Sequence, residues 1–336
     1  MINSQLLKQI LKSAKIEVEI EDIDLSDIGN ELGLSEKEFL AEDYSLLIKI
    51  REYEIGFTNR LMHSYSKPIQ DLEIFIEICK SIGINIHNRI GNNKTSKFIT
   101  LKRLHQKSCL LSSEIIYLIK GGYASAALAR WRTLLETSIV SLFLALNNDE
   151  LSEKYLDYEI IERKKELNSY LENIDFLGFE KIDLNIQQEI ENEYSLILNK
   201  YGKNFKNDYG WASKILKKEK PNLHDFINYL NLEYIKPFYK FSNNYVHSGT
   251  KSLMFNIGTI NGLFPDDTLT ASSNIGFTDP AQLCLLSMFN STLAFLSLNS
   301  DEKDLLNLIS LYLKINSIAK SFNEIENKII EDELNN

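Results

Sequence analysis

Between Pro68 and Pro221 the chain contains no proline, and between Tyr123 and Leu177 it contains no glycine. Proline removes a helical hydrogen bond, and glycine raises the entropic cost of ordering the backbone. The middle of the chain can therefore run as long helices, and its apolar periodicity agrees. Over residues 35–66, Phe39, Leu46, Leu47, Ile50, Tyr53, Phe57 and Leu61 recur at three- and four-residue spacings. Pro68 opens a second helix in its first turn, where Asp71 and Glu73 suit the positive helix start. The same reasoning predicts helices over 96–120, 123–146, 149–171, 183–201, 223–247, 280–298 and 301–330, with Gly121-Gly122 as the turn before 123–146.

These patterns predict an all-α fold: a multi-helix bundle with a small β-hairpin or loop insertion near residues 253–280. There Gly258, Gly262, Pro265 and Gly276 interrupt short β-prone runs such as 254–257. The expected organisation is an N-terminal helical region (1–92), a helical bundle core with the candidate site (93–300), and a long C-terminal helix with an acidic tail (301–336). Residues 1–15 carry Lys8 and Lys12 within an apolar pattern, which reads as an amphipathic helix and not as a signal peptide. In the last helix Leu305, Leu308, Tyr312, Ile315, Ala319 and Phe322 keep a heptad-like alternation. Such a stripe either packs onto the parent bundle or pairs between subunits.

Composition narrows the function classes. A net charge of −10 argues against general affinity for DNA or anionic membranes. The most apolar window, 137–146, falls well short of the roughly 20 residues that span a bilayer, so no membrane partner is expected. Cys79, Cys109 and Cys284 lie far apart without C-x-x-C spacing, which suits a reducing, cytoplasmic compartment. Phosphate loops, dinucleotide fingerprints, nucleophile elbows and H-E-x-x-H are all missing, and none of the five histidines stands in an E-x-x-H pattern. Neither a metal nor a cofactor is expected.

Polar residues on apolar helices supply the candidate site. From Tyr123 to Leu146 the only formal charges are Arg130, Arg132 and Glu136. Arg132 and Glu136 lie one turn apart on the stripe that Leu128, Leu135, Ile139 and Phe143 continue. Charges on a core-facing stripe cost several kcal/mol unless paired, so these two are either an internal ion pair or part of a site in which Arg132 grips an anion and Glu136 fixes its plane. Tyr155, Tyr158 and Glu162, at helical spacing on the next helix, either complete that polar interior or belong to the core. Asn243 and His247, four apart, share a face. His247 can exchange protons near neutral pH, or it can be a structural residue near a helix end. Two basic stretches stand out: Lys94 to Lys107, with five basic residues and no acid, and Lys200 to Lys220, with seven lysines against Asp208 and Glu219. Each is a solvated helix face or a track for a phosphate backbone.

Three of these segments carry a resemblance. Arg132-Thr133-Leu134-Leu135-Glu136, Tyr209-Gly210-Trp211-Ala212 and Ser242 through His247 resemble the R-x-x-x-E, Y-G-W-A and S-x-x-x-x-H motifs of a mostly helical bacterial family of unknown function. The last motif is also similar to the R-N-x-x-x-H signature of the HEPN superfamily, helical bundles that include metal-independent RNases of toxin–antitoxin and phage-defence systems. Asn243 and His247 match its polar and histidine positions, and Ser242 stands where it has arginine. The resemblance implies an endoribonuclease or toxin-type effector in which His247, Arg132, Glu136 and Asn243 are catalytic, with Arg132 replacing the missing cation. Ser242, Tyr155, Tyr158, Glu162 and Trp211 would then be binding residues. It also implies RNA as substrate, a homodimer, and an antitoxin or regulatory protein as partner. The alternative is a non-catalytic helical binding or sensor protein that recognises a nucleotide or a protein partner.

Overall fold

The computed structural model describes residues 9–10, 12–13, 36–91, 94–247, 249–251, 255–260 and 271–335. Helix α1 spans Glu36–Ser64, α2 Ser66–Ile90, α3 Ser96–Lys120, α4 Ala124–Leu146, α5 Asp149–Asp157 and α6 Glu159–Leu177. Then follow α7 Leu184–Tyr201, α8 Ser213–Leu216, α9 Leu223–Tyr229, α10 Lys236–Ser242, α11 Thr278–Leu296 and α12 Glu302–Asn335. Single 3-10 turns lie at Lys203–Lys206, Gly210–Ala212, Glu233–Ile235 and Asn243–Tyr245. The fold is all-α, with no strand among the described residues. The expected N-terminal amphipathic helix over 1–15 falls largely outside them.

Contacts divide the chain into two compact units, Met1–Arg60 and Leu61–Asn336. In the first, α1 exposes Leu46, Ile50 and Tyr53. In the second, α4 is central and packs against α3, α9, α10 and α11, while α11 also meets α2, α3 and α12. Trp131, Leu134, Ile139 and Phe143 of α4 are fully buried, and each such side chain contributes roughly 1.5–3 kcal/mol by leaving water.

Small polar groups hold the α3–α11 seam together where the helices approach. The Ser291 hydroxyl donates to Ser108 Oγ at 2.8 Å, and His105 Nε2 lies 3.3 Å from Thr292 Oγ1. The Trp131 indole N–H donates to Ser287 Oγ of α11 at 2.9 Å. Gly83 of α2 permits this closeness, since a Cβ there would stand 2.5 Å from the His105 ring. Burial lowers the His105 pKa to about 4, so the imidazole is neutral in the core. Burial likewise raises the three thiols to about 12, leaving Cys79, Cys109 and Cys284 unreactive.

Helix ends are secured by specific side chains. Thr95 caps α3 by accepting from the Phe98 N–H at 3.1 Å, and Asn148 caps α5 by accepting from the Leu151 N–H at 3.1 Å. Lys97 donates to the carbonyls of Ala145 and Asn147 at 2.6 and 2.7 Å. It thereby places a cation at the negative end of α4.

Two expectations change, and of the two alternatives for 253–280 the described part takes the loop. The helix predicted over 149–171 breaks at Tyr158 into α5, which packs against α3, and α6, which packs against α7. The helix predicted over 223–247 breaks into α9, a 3-10 turn, α10 and a second 3-10 turn, because Asn231 takes a left-handed φ of 54° and Pro237 starts α10. No hairpin forms in the described part of 253–280. It is an ordered loop in which Ser273 donates from its N–H to the Gly122 carbonyl and from its hydroxyl to the Gly258 carbonyl. Residues 261–270 lie outside the described residues. Helix α12 packs within its own unit: Leu308, Ile315, Ala319 and Phe322 are buried, while Leu305 and Tyr312 face outward.

Candidate functional site

Four residues of α3 and four of α4 repeat the same one-face spacing: Thr100, Arg103, Leu104 and Lys107, and Thr133, Glu136, Thr137 and Val140. Positions three and four apart lie on one side of a helix, and here both faces line a single cavity of about 830 Å³. The far wall is Tyr155 of α5, Tyr158 at the α5–α6 junction, and Glu162, Lys165 and Glu166 of α6; Asp208, Tyr209 and Trp211 complete it. The volume falls in the range of small-molecule sites, roughly 300–1,000 Å³.

The Tyr209–Ala212 motif has a backbone reason. Tyr209 sits in the left-handed region at φ 54°, a conformation that costs energy for a residue with a Cβ. The 3-10 turn that follows runs so close to the preceding one that a Cβ at Gly210 would collide with the Phe205 carbonyl oxygen. This tight fold buries Trp211, whose ring meets Tyr155 edge-on at 4.9 Å and Phe143 at 5.8 Å. The Tyr158 hydroxyl donates to the Asn207 carbonyl at 2.8 Å, so this tyrosine holds the wall in place.

The lining carries charges of both signs. Lys165 pairs with Asp208 at 2.7 Å, and Glu159 with Arg163 at 3.6 Å. Arg103 and Lys107 on α3, Glu136 on α4, and Glu162 and Glu166 on α6 have no ion-pair or hydrogen-bond partner among the described residues. Loss of hydration raises the Glu136 carboxyl above its ordinary range, against the opposing pull of Arg132 and Lys107. The Glu162 carboxyl is raised first by lost hydration and then by neighbouring Glu166. Burial pushes the Tyr155 phenol up to about 12, so it is a neutral donor at any ordinary pH.

The candidate residues fall into two groups. Glu136, Tyr155, Tyr158, Glu162 and Trp211 share the cavity. Arg132, Ser242, Asn243 and His247 stand outside its lining. The Arg132 guanidinium faces α10, where Nη2 donates to the Tyr239 hydroxyl at 2.7 Å and the guanidinium carbon lies 4.6 Å from that ring's centroid. It does not close a salt bridge with Glu136. Buried Ser242 donates to the Tyr239 carbonyl at 2.8 Å, so Tyr239 joins Arg132 to the Ser242 motif. Arg132 Nε and Asn243 Oδ1 are buried without hydrogen-bond partners. The His247 side chain is exposed, and its N–H donates to the Asn243 carbonyl at 3.0 Å.

Arg103, Lys107, Tyr209 and Tyr239 are not among the candidate site residues that the sequence offers. Arg103 and Lys107 do stand four apart inside the basic run 94–107, and Tyr209 heads the Y-G-W-A motif, so signals existed for these three. Tyr239 has none, since its role depends on a partner 107 positions earlier in the chain. Among the described residues no three His, Cys, Asp or Glu side chains are grouped to hold a metal ion, and no helix is long and apolar enough to cross a membrane.

Residues 98–262 match the model of a family described as a family of unknown function (DUF5677). This span runs from the first turn of α3 past His247 and takes in all three motifs and both groups of candidate residues. No curated protein and no solved structure matches the chain.

Proposed function

We propose that this chain is a helical binding protein whose cavity between α3, α4 and α6 takes up a small polar molecule. The observation that carries this reading is Glu136. It is a partly buried carboxylate lining the cavity, it has lost hydration, and although Arg132 and Lys107 act on it through space, no group among the described residues hydrogen-bonds or ion-pairs with it. A desolvated charge without a partner destabilises the folded chain, whereas a bound donor supplies the missing contact. Tyr155, Tyr209 and Trp211 give the walls apolar area, as ligand sites require.

Ligand-dependent thermal stability tests this. A compound bound at about 100 times its Kd adds about 2.7 kcal/mol, or roughly 4 °C in Tm for a chain of this size. A panel of nucleotides, amino acids, polyamines and sugar phosphates is expected to contain a compound that raises the Tm of wild type and fails to raise that of Thr133→Trp, which fills the cavity from α4. If nothing in the panel shifts wild type, or if Thr133→Trp shifts equally, the cavity is not a binding site.

A second reading, a HEPN-like metal-independent RNase acting as a toxin-type effector in bacterial phage defence, is favoured by the other group. Helix α4 packs against α10 and the Asn243–Tyr245 turn, and the unpartnered Arg132 Nε and Asn243 Oδ1 lie on these neighbouring elements. In that role His247 would move the proton between an RNA 2′-hydroxyl and the leaving oxygen, with Arg132 stabilising charge on the phosphate. The binding reading expects RNA to remain intact with the protein in EDTA. Cleavage that disappears in folded His247→Ala and Arg132→Ala transfers the function to the RNase.

A further inference from the structure

The charges that line the cavity specify more than polarity. Arg103 and Lys107 project from adjacent turns of α3, and neither has a carboxylate partner. Glu136 on α4 and Glu162 on α6 are likewise unpaired among the described residues and make up the acidic part of the same lining. The two parts are close enough for Lys107 to act on both Glu136 and Glu162 through space, and Glu136 and Tyr155 both act on Tyr209. Glu136, Tyr155 and Tyr209 are therefore near neighbours, and Arg103 and Lys107 belong to the same lining.

An ionised carboxylate is only an acceptor, and electron-rich rings attract cations. A carboxylate beside two tyrosines is thus a receptor for an ammonium or guanidinium group. Two unpaired cations on one helical face are a receptor for a carboxylate or phosphate. A purely cationic ligand would be repelled by Arg103 and Lys107, and a purely anionic one by Glu136 and Glu162. Resting on the reading that the cavity binds a ligand, we infer that this ligand is a small soluble zwitterion, with its cationic group at Glu136, Tyr155 and Tyr209 and its anionic group at Arg103 and Lys107.

Titration calorimetry on the full chain tests the inference with four probes: ornithine and phosphoethanolamine as zwitterions, spermidine as a cation alone and inorganic phosphate as an anion alone. At least one zwitterion is expected to bind, with Kd raised about tenfold or more by Glu136→Gln and, separately, by Lys107→Ala, as loss of a charge-assisted contact predicts. Lys102→Ala, on the same helix but outside the lining, leaves Kd unchanged. Spermidine or phosphate binding as tightly as either zwitterion, with sensitivity to only one of the two variants, overturns the zwitterion while keeping the cavity as a binding site. Binding only to vesicles that display the phosphoethanolamine headgroup, and not to the free compound, overturns a soluble ligand. No heat with any probe, together with no hit in the thermal panel, overturns both readings.

Discussion

Glu136 illustrates how one residue can be costly to the fold and useful to the site. Its carboxyl is held above the ordinary range mainly by lost hydration. Below that range both the folded and the unfolded chain carry it protonated, and it imposes no cost. As pH rises the unfolded chain ionises first, so the folded state loses relative stability through this window and does not regain it at neutral pH. Glu136→Gln removes the charge with little change of shape. It is expected to stabilise the protein at pH 7 by on the order of 1 kcal/mol, or roughly 1–2 °C in Tm, with the gain vanishing near pH 4. A calorimetric scan of both proteins at the two pH values checks this, and an equal gain at both would mean that desolvation of the charge is not the cause. The sequence made Glu136 conspicuous because a charge stands out on an apolar helix. It could not show that Arg132 and Glu136 part company, because Arg132 turns to Tyr239, a partner far away in sequence.

At the scale of elements, the long regular helices were legible and the irregular ones were not. Helix α3 runs from Ser96 to Lys120, the range its apolar spacing predicts, because the pattern, the Thr95 cap and the Gly121-Gly122 turn all agree. The breaks at Tyr158 and Asn231 carry no glycine or proline at the break itself. They follow from where the chain must turn to bury Trp211 and Phe226, which is a demand of packing. The junction of α2 with α12 is likewise tertiary. Buried Asp304, in the first turn of α12, accepts from Arg89 at 2.6 Å and from Asn85 at 2.9 Å, both in α2. Asp304→Ala leaves Arg89 without its carboxylate and is expected to cost about 3 kcal/mol, at the low end for a buried pair because Arg89 retains some access to water. Urea denaturation should show a lower midpoint at unchanged slope, and a midpoint equal to wild type would make this pair a bystander. At its other end α12 is tied to the start of α11, where Glu326 accepts from the N–H groups of Phe277 and Thr278 and from the Thr278 hydroxyl.

Across the whole molecule, stability should be unevenly distributed. More than half of the side chains of helices α4 and α11 are buried, whereas residues 44–55 of α1, in the first unit, expose most of theirs. Local opening free energies follow such differences. Hydrogen exchange is therefore expected to reach the global unfolding limit in α4 and α11 and to run at least about tenfold faster over 44–55. Uniform protection along the chain would show that the two units unfold together.

The sequence by itself determined that the protein is helical, where its long helices run, which helix is central and which polar residues on apolar faces needed an explanation. All of these follow from local spacing, the absence of helix breakers and the cost of burying charge. Only the tertiary structure decided which of those residues meet. It placed Glu136, Tyr155, Tyr158, Glu162 and Trp211 around one cavity, added Arg103 and Lys107 to the same lining and left Arg132, Ser242, Asn243 and His247 outside it. The physical reason is that a helix fixes only which residues share a face, while the angle at which two helices pack decides what that face confronts, and packing depends on side chains distant in sequence.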